Sequence, residues 1–279
     1  VKLQLYQGRL IGDKTETMQG TITSSFGIQE RGDKLYVITQ ILHYQYEDDP
    51  DMIGAVIGST EVCAYAFDEN FRLLSKRKNI AKDEDIKAVR FLGDMGYAVT
   101  YQQQDPLFSI DFSDPEKLKV VDKIEMPGFS GYLHPVKDDL LLGIGEAEDG
   151  NAKISLYDIT DNNKLSIYDE KEIDHIKYNN VLEDYRKIFI DEENNIAGFG
   201  GTDYGDSDDE KEENREQNYY VLYHYDRDGK LQQIGEYPVK KEYRGFINQK
   251  FIGMRIGTWF YVIPEATSRQ DDMEIVPYS

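Results

Sequence analysis

The chain is short of the residues that most often carry chemistry or cross-links. Its 279 residues hold one cysteine, one tryptophan and four histidines. With a single cysteine no intrachain disulfide can form. Cys63, in the run EVCAYAF, reads as a small buried residue on a strand rather than as a nucleophile. The histidines (His43, His134, His175 and His224) fall in none of the HxH, HExxH or HxxxH spacings, so no zinc motif is present. There is no GxSxG elbow and no P-loop, and the glycine cluster GFGG at 198–201 has no following helix that could make it a phosphate cradle. Basic residues are outnumbered, 32 against 53 acidic, for a net charge of −21. That excludes the basic footprint nucleic-acid binding requires, and an anionic membrane surface would repel the chain. No stretch approaches the ~18 apolar residues of a membrane helix. No export signal is expected within the chain, which begins at Val1. Helical periodicity is nearly absent.

What the chain does have is aromatic, strand-forming sequence that repeats. It contains 21 tyrosines and 12 phenylalanines. A polar turn followed by an apolar run occurs at GDKLYVITQ (32–40), GDMGYAVTYQ (93–102), DDLLLGIGE (138–146), ENNIAGFGG (193–201) and IGTWFYVIP (256–264). Alternating with these are hairpins at 64–76, 108–123, 154–169 and 221–235, whose turns carry Asp68, Asp111, Asp158 and Asp226. Acids at such points are expected to form turns rather than bind metal. One complete unit, residues 86–127, reads as four strands: IKAVRFLG, MGYAVTYQ, LFSIDFS and LKVVDKIEMP. Four-stranded units recurring every ~40–45 residues mark propeller blades.

The expected fold is therefore all-β, a beta-propeller of five four-stranded blades in one domain over 1–279. The N-terminal hairpin (1–20) and the C-terminal segment (242–264) are expected to share the closing blade, with the tail 271–279 adding a strand or lying along the rim. Half of a larger ring is the alternative. Residues 44–60 lengthen the first blade, and 202–218, TDYGDSDDEKEENREQN, form an acidic loop insertion in the fourth, expected to be mobile.

The stretch 89–145, with RFLGDMGYAVTYQ, DPLFSIDFSDPEKLKV, PGFSGYLHP and LLGIG, resembles the bacterial and archaeal secreted proteins that carry a C-terminal beta-propeller domain, and single blades are similar to short LVIVD-type repeats. Weaker likeness at 18–39, 153–161, 185–200 and 251–263 extends the resemblance over most of the chain. It implies a propeller fold and a secreted or cell-surface location, and it supplies no activity. The fourth blade departs from the pattern through its acidic insertion and its GFGG.

Candidate site residues follow from the expected first strands. PGFSGYLHP (127–135) reads as the crossover from the second blade to the third. Phe129, Tyr132 and Leu133 are expected to pack there, and Tyr132 or His134 to reach the mouth of a central channel. Arg90, Arg186 and Arg244 recur at similar places and could receive an anionic group, or each could pair with an aspartate of the neighbouring blade. Asp203, Asp206, Asp208 and Asp209 supply oxygen ligands for a loose calcium site, although the EF-hand spacing is not met and a solvated loop is the default. Trp259 is expected in a strand packed between blades, so a sugar-stacking platform is missing. The favoured function is a non-catalytic extracytoplasmic module binding a protein, peptide or glycan, with no cofactor. The alternative is a glycoside hydrolase or lyase using paired carboxylates in a channel.

Overall fold

The computed structural model describes residues 2–7, 9–46, 55–101, 105–137, 139–161, 163–205, 217–239, 250–264 and 274–277. The chain divides into two compact units, one of residues 1–126 with 161–165 and one of 127–160 with 166–279.

The first unit opens with a hairpin of β1 (Lys2–Tyr6) and β2 (Arg9–Lys14). A four-stranded antiparallel meander follows: β3 (Ile28–Arg31), β4 (Lys34–Tyr46), β5 (Ala55–Phe67) and β6 (Leu73–Arg77). The long β4 and β5 arms account for the expected lengthening of this sheet. The next meander is β7 (Asp85–Leu92), β8 (Met95–Tyr101), β9 (Asp105–Asp111) and β10 (Lys119–Met126). These are the four strands read from residues 86–127. The core of the unit joins Tyr36, Ile38, Val62 and Ala64 of one sheet to Ala98, Phe108, Ile110 and Phe112 of the other. Tyr36 and Phe91 both set ring edges against Phe112. Cys63 is fully buried, and burial pushes its thiol pKa up, so it behaves as the small apolar residue expected.

The second unit carries three sheets. The first is β11 (Phe129–Val136), β12 (Leu140–Glu146), β13 (Ala152–Asp161) and β14 (Lys164–Ile173). The second has β15 (Tyr178–Asn179) and β16 (Phe189–Asp191) both pairing with β17 (Ile196–Asp203), followed by β18 (Gln217–Asp226) and β19 (Lys230–Val239). The third is β20 (Phe251–Ile256), β21 (Trp259–Pro264) and β22 (Glu274–Pro277). Phe260 is buried between Phe189 and Tyr220, which joins the last two sheets.

Sequence explains the strand order within each sheet. β8, β12 and β17 are buried along nearly their whole length. Their unbroken apolar runs are those of strands covered on both faces. Outer strands such as β10 and β19 are mostly exposed or half-buried. The turn from first to second strand is the same device five times, with a left-handed residue at Gly32, Gly93, Asp139, Asn195 and Gly257. Glycine, asparagine and aspartate are the residues that tolerate that conformation. The hairpin acids act as turn formers. Asp68 accepts from the backbone N–H of Asn70 and Arg72, Asp111 from Ser113, Asp158 from Thr160 and Asp226 from Gly229.

Three expectations change. The N-terminal hairpin expected to complete the closing blade pairs, among the described residues, only within itself as β1 and β2, while the tail adds the strand β22 beside β21, one of the two places expected for it. The second unit's middle sheet holds an unforeseen helical turn, α1 (Asn180–Glu183). Asn179 caps it by accepting from Leu182 N–H, and Asp184 caps the following 3-10 turn through Arg186 N–H. Trp259 itself is 50% exposed, although Phe260 and Val262 of the same strand are buried. Strand alternation puts the tryptophan on the outward face. Of the insertion 202–218 expected to be a mobile loop, the ends belong to β17 (Thr202, Asp203) and β18 (Gln217, Asn218), and residues 206–216 lie outside the described residues.

Candidate functional site

The second unit gathers polar side chains where three first strands meet. β11 begins at the crossover PGFSGYLHP. Gly128 starts it with a left-handed φ of +65°, where an added Cβ would come within 2.1 Å of the Glu146 carbonyl oxygen. The buried ammonium of Lys153 donates to the Pro127 carbonyl and to Glu170 Oε2 at 3.2 Å, and Ser130 hydrogen-bonds Tyr157 at 2.8 Å. Anchored so, β11 buries Tyr132 and Leu133, as expected of this segment, and half-buries Phe129. Tyr132 Oη lies 3.0 Å from His134 Nδ1, and its ring stacks on Tyr185 at 6.1 Å between centroids.

His134 borders an open hollow of about 730 Å³, lined further by Phe189–Glu192 and by Gly253, Met254, Arg255 and Gly257. Two walls consist of consecutive residues. Among the described residues, β16 forms its backbone ladder with β17 and β20 with β21, and a side-chain pair links β16 to β20.

The charges are mostly matched. Arg255 pairs with Asp191 at 2.5 Å and donates to the Gly257 carbonyl at 3.0 Å. Burial acts to raise the Asp191 pKa, but hydrogen bonds from Asn194 and Arg255 outweigh it and hold the carboxyl below its usual range. Glu192 is 70% exposed, and its carboxylate lies 3.7 Å from His134 Nε2, too far for a hydrogen bond. Lys250 pairs with Glu183 at 2.9 Å.

The other expected residues fall as follows. Arg186 forks onto Asp184, two residues earlier, at 2.8 and 2.9 Å, and its guanidinium draws the Asp184 pKa down to about 2. Arg90 belongs to the first unit, where its guanidinium sits 4.2 Å over the Phe26 ring. Arg244, Asp206, Asp208 and Asp209 lie outside the described residues. Asp203 accepts from Gly205 N–H at 2.8 Å, a turn contact. Among the described residues no group of three His, Cys, Asp or Glu side chains could hold a metal ion.

Arginines that bridge neighbouring sheets do exist, at other positions. Arg31 reaches Asp94 and the Phe112 carbonyl. Arg227 forks onto Asp158 at 3.0 Å for both bonds, holding that carboxyl well below its usual range. Arg255 on Asp191 is the third. Each stands at or within two residues of a turn glycine: RGDK, RDGK, RIGT. That recurrence was available in the sequence, whereas nothing local marked Asp191 and Glu192 as neighbours of His134.

A sequence profile for the beta propeller domain matches residues 1–255. An uncharacterized protein of Methanocaldococcus jannaschii is 34% identical over 187 residues, covering 66% of this chain and 28% of that protein. One from Archaeoglobus fulgidus is 46% identical over 97 residues, 35% of this chain and 16% of the other. The chain thus spans under a third of the length of either relative. Among solved structures, a europium-containing methanol dehydrogenase aligns over 90% of this chain and 50% of its own, at 11% identity and a TM-score of 0.46. BamB from Moraxella catarrhalis aligns over 85% and 68%, at 15% identity and a TM-score of 0.38.

Proposed function

The chain belongs to the beta propeller domain family, and on that premise we propose that it is a non-catalytic binding module, acting outside the cytoplasm on a protein, peptide or glycan without a cofactor. The proposal includes a single five-bladed propeller over 1–279. The observation that carries the binding role is the hollow where His134, Phe189–Glu192 and Gly253–Arg255 converge. Rigid strands present it, and it combines apolar walls with a few placed polar groups, the usual makeup of a recognition site. Its charges favour binding over hydrolysis. Asp191 is held ionised by its hydrogen bonds from Asn194 and Arg255 and so is a poor proton donor. An extracytoplasmic setting suits the lone cysteine, since a fully buried thiol with a raised pKa resists oxidation.

The test is capture by glycan and peptide arrays, comparing the wild-type chain with a His134→Ala, Glu192→Ala double variant. The expected result is one selective ligand class that binds the variant at least ~10-fold more weakly, about 1.4 kcal/mol. Equal capture by both proteins would place binding elsewhere, and sugar turnover by the wild type would restore the hydrolase reading.

A further inference from the structure

We infer that the hollow takes an organic cation, an ammonium or guanidinium group carried on an apolar stem. Glu192 receives the charge, and Phe189, Ile190 and Met254 cover the stem. The inference rests on the binding reading above and names its ligand class.

The first argument is local charge. Asp191 and Glu192 are the acids of the lining and Arg255 is its base, so with His134 counted as neutral the lining is net negative. The two acids differ in what they can still bind. Asp191 accepts from Asn194 and from Arg255, which hold it ionised. Glu192 is 70% exposed, and the His134 imidazole stands 3.7 Å away, beyond hydrogen-bond reach. A cation arriving at Glu192 therefore breaks no ion pair. An anion would meet the repulsion of Glu192 while Arg255 is engaged by Asp191. The whole chain carries −21, a field that draws in cations from a distance.

The second argument is the apolar part of the lining. Phe189 is fixed by a T-shaped contact with the buried Phe260, 4.9 Å between ring centroids. Met254 is 40% exposed, and its unbranched thioether adapts to the shape of what it meets. Aromatic rings also attract a cation lying over their faces. Such walls do not suit a bare metal ion, and among the described residues no group of three His, Cys, Asp or Glu side chains could hold one. They suit a ligand in which hydrocarbon and charge are joined. A lysine or arginine side chain has that form, and so does a free polyamine. At about 730 Å³ the hollow is large enough for either.

The probes are ethyl-, butyl- and hexylammonium, with hexanol and hexanoate as neutral and anionic controls. They are titrated into the wild-type chain while NMR follows the Met254 methyl and the amides of Gly253 and Gly257. Hexylammonium is expected to move these signals saturably. Each added methylene should tighten binding about two- to four-fold, the gain from burying it partly or wholly. Hexanol should bind about two- to five-fold more weakly than hexylammonium, and hexanoate more weakly still. Glu192→Gln, a change at an exposed side chain, should weaken hexylammonium about two- to five-fold and leave hexanol unchanged. Raised salt should act on the wild type as the substitution does. Spermidine against an acetylated lysine peptide then tells the two sources apart by which binds tighter, and either order upholds the inference. Hexanol or hexanoate binding as well as hexylammonium, or an amine series flat in chain length, overturns it. If no amine binds while a glycan from the arrays binds and depends on His134 and Glu192, the cation inference falls and the binding module stands. If no ligand depends on those residues, both fall.

Discussion

Replacing Gly145 with alanine is expected to cost at least ~4 kcal/mol or to prevent folding, the largest single-residue effect anticipated in this chain. Gly145 lies in β12 opposite Ser130, next to the irregularity between Ser130 and Tyr132 where β11 gains a residue. An added Cβ would stand 1.7 Å from the Phe129 carbonyl oxygen and 2.7 Å from the Phe129 carbonyl carbon. Both obstacles are backbone of a paired strand, so no rotamer change relieves them and β11 itself must move away. At about 2–4 °C per kcal/mol for a unit of this size, melting should fall by ~8–16 °C. Gly12→Ala is the control, because nothing lies within 4 Å of its added Cβ, and it should stay within ~0.5 kcal/mol of wild type. A Gly145→Ala protein melting within a few degrees of wild type would mean that β11 does not approach β12 as described.

Lys153→Ala should be nearly as damaging, at ~3–5 kcal/mol in urea unfolding. The lysine is 1% exposed, reaches the Pro127 carbonyl, and sits 3.2 Å from Glu170 Oε2, which also accepts from Ser155 at 2.7 Å. Truncation leaves a cavity and strips a largely buried carboxylate of its cation, and these two costs add. The pairing itself need not be a net gain over an apolar filling of the same shape. Lys153→Met combined with Glu170→Gln should therefore recover most of the loss, to within ~1–2 kcal/mol of wild type. If the double variant were as unstable as Lys153→Ala, the ammonium's bond to Pro127 would have to dominate. Because that bond holds the start of β11, Lys153→Met alone should also weaken binding through Tyr132 and His134.

Much of the architecture was legible because its determinants are local. Turn residues at Gly32, Gly93, Asp139, Asn195 and Gly257 recur in the sequence as they recur in space, and Asp68, Asp111, Asp158 and Asp226 bond to backbone within a few residues of themselves. The apolar runs of β8, β12 and β17 marked them as strands, and the structure adds that they are buried along nearly their whole length. The pairing of β21 with β22 was less legible, since neither alternation nor turn chemistry says which of two free strands completes a sheet. α1 was hidden because it is four residues long, too short for periodicity, and announced only by Asn179 and Asp184 as caps. The site was half legible. Tyr132 and His134 stand in a distinctive segment, but their companions come from chain positions about 60 and 120 residues further on, and only the fold brings Glu192 and Arg255 to the same hollow. Arg186 shows the limit of reasoning from recurrence, because the carboxylate it meets is two residues away on its own segment.

The most direct measurement is amide hydrogen exchange of the whole chain, with and without a ligand captured by the arrays, followed residue by residue. Bound ligand is expected to slow exchange around His134, at Phe189–Glu192 and at Gly253–Arg255, and to leave the turns at Gly32 and Gly93 unchanged. Protection confined to other strands, or none around the hollow at saturating ligand, would contradict it.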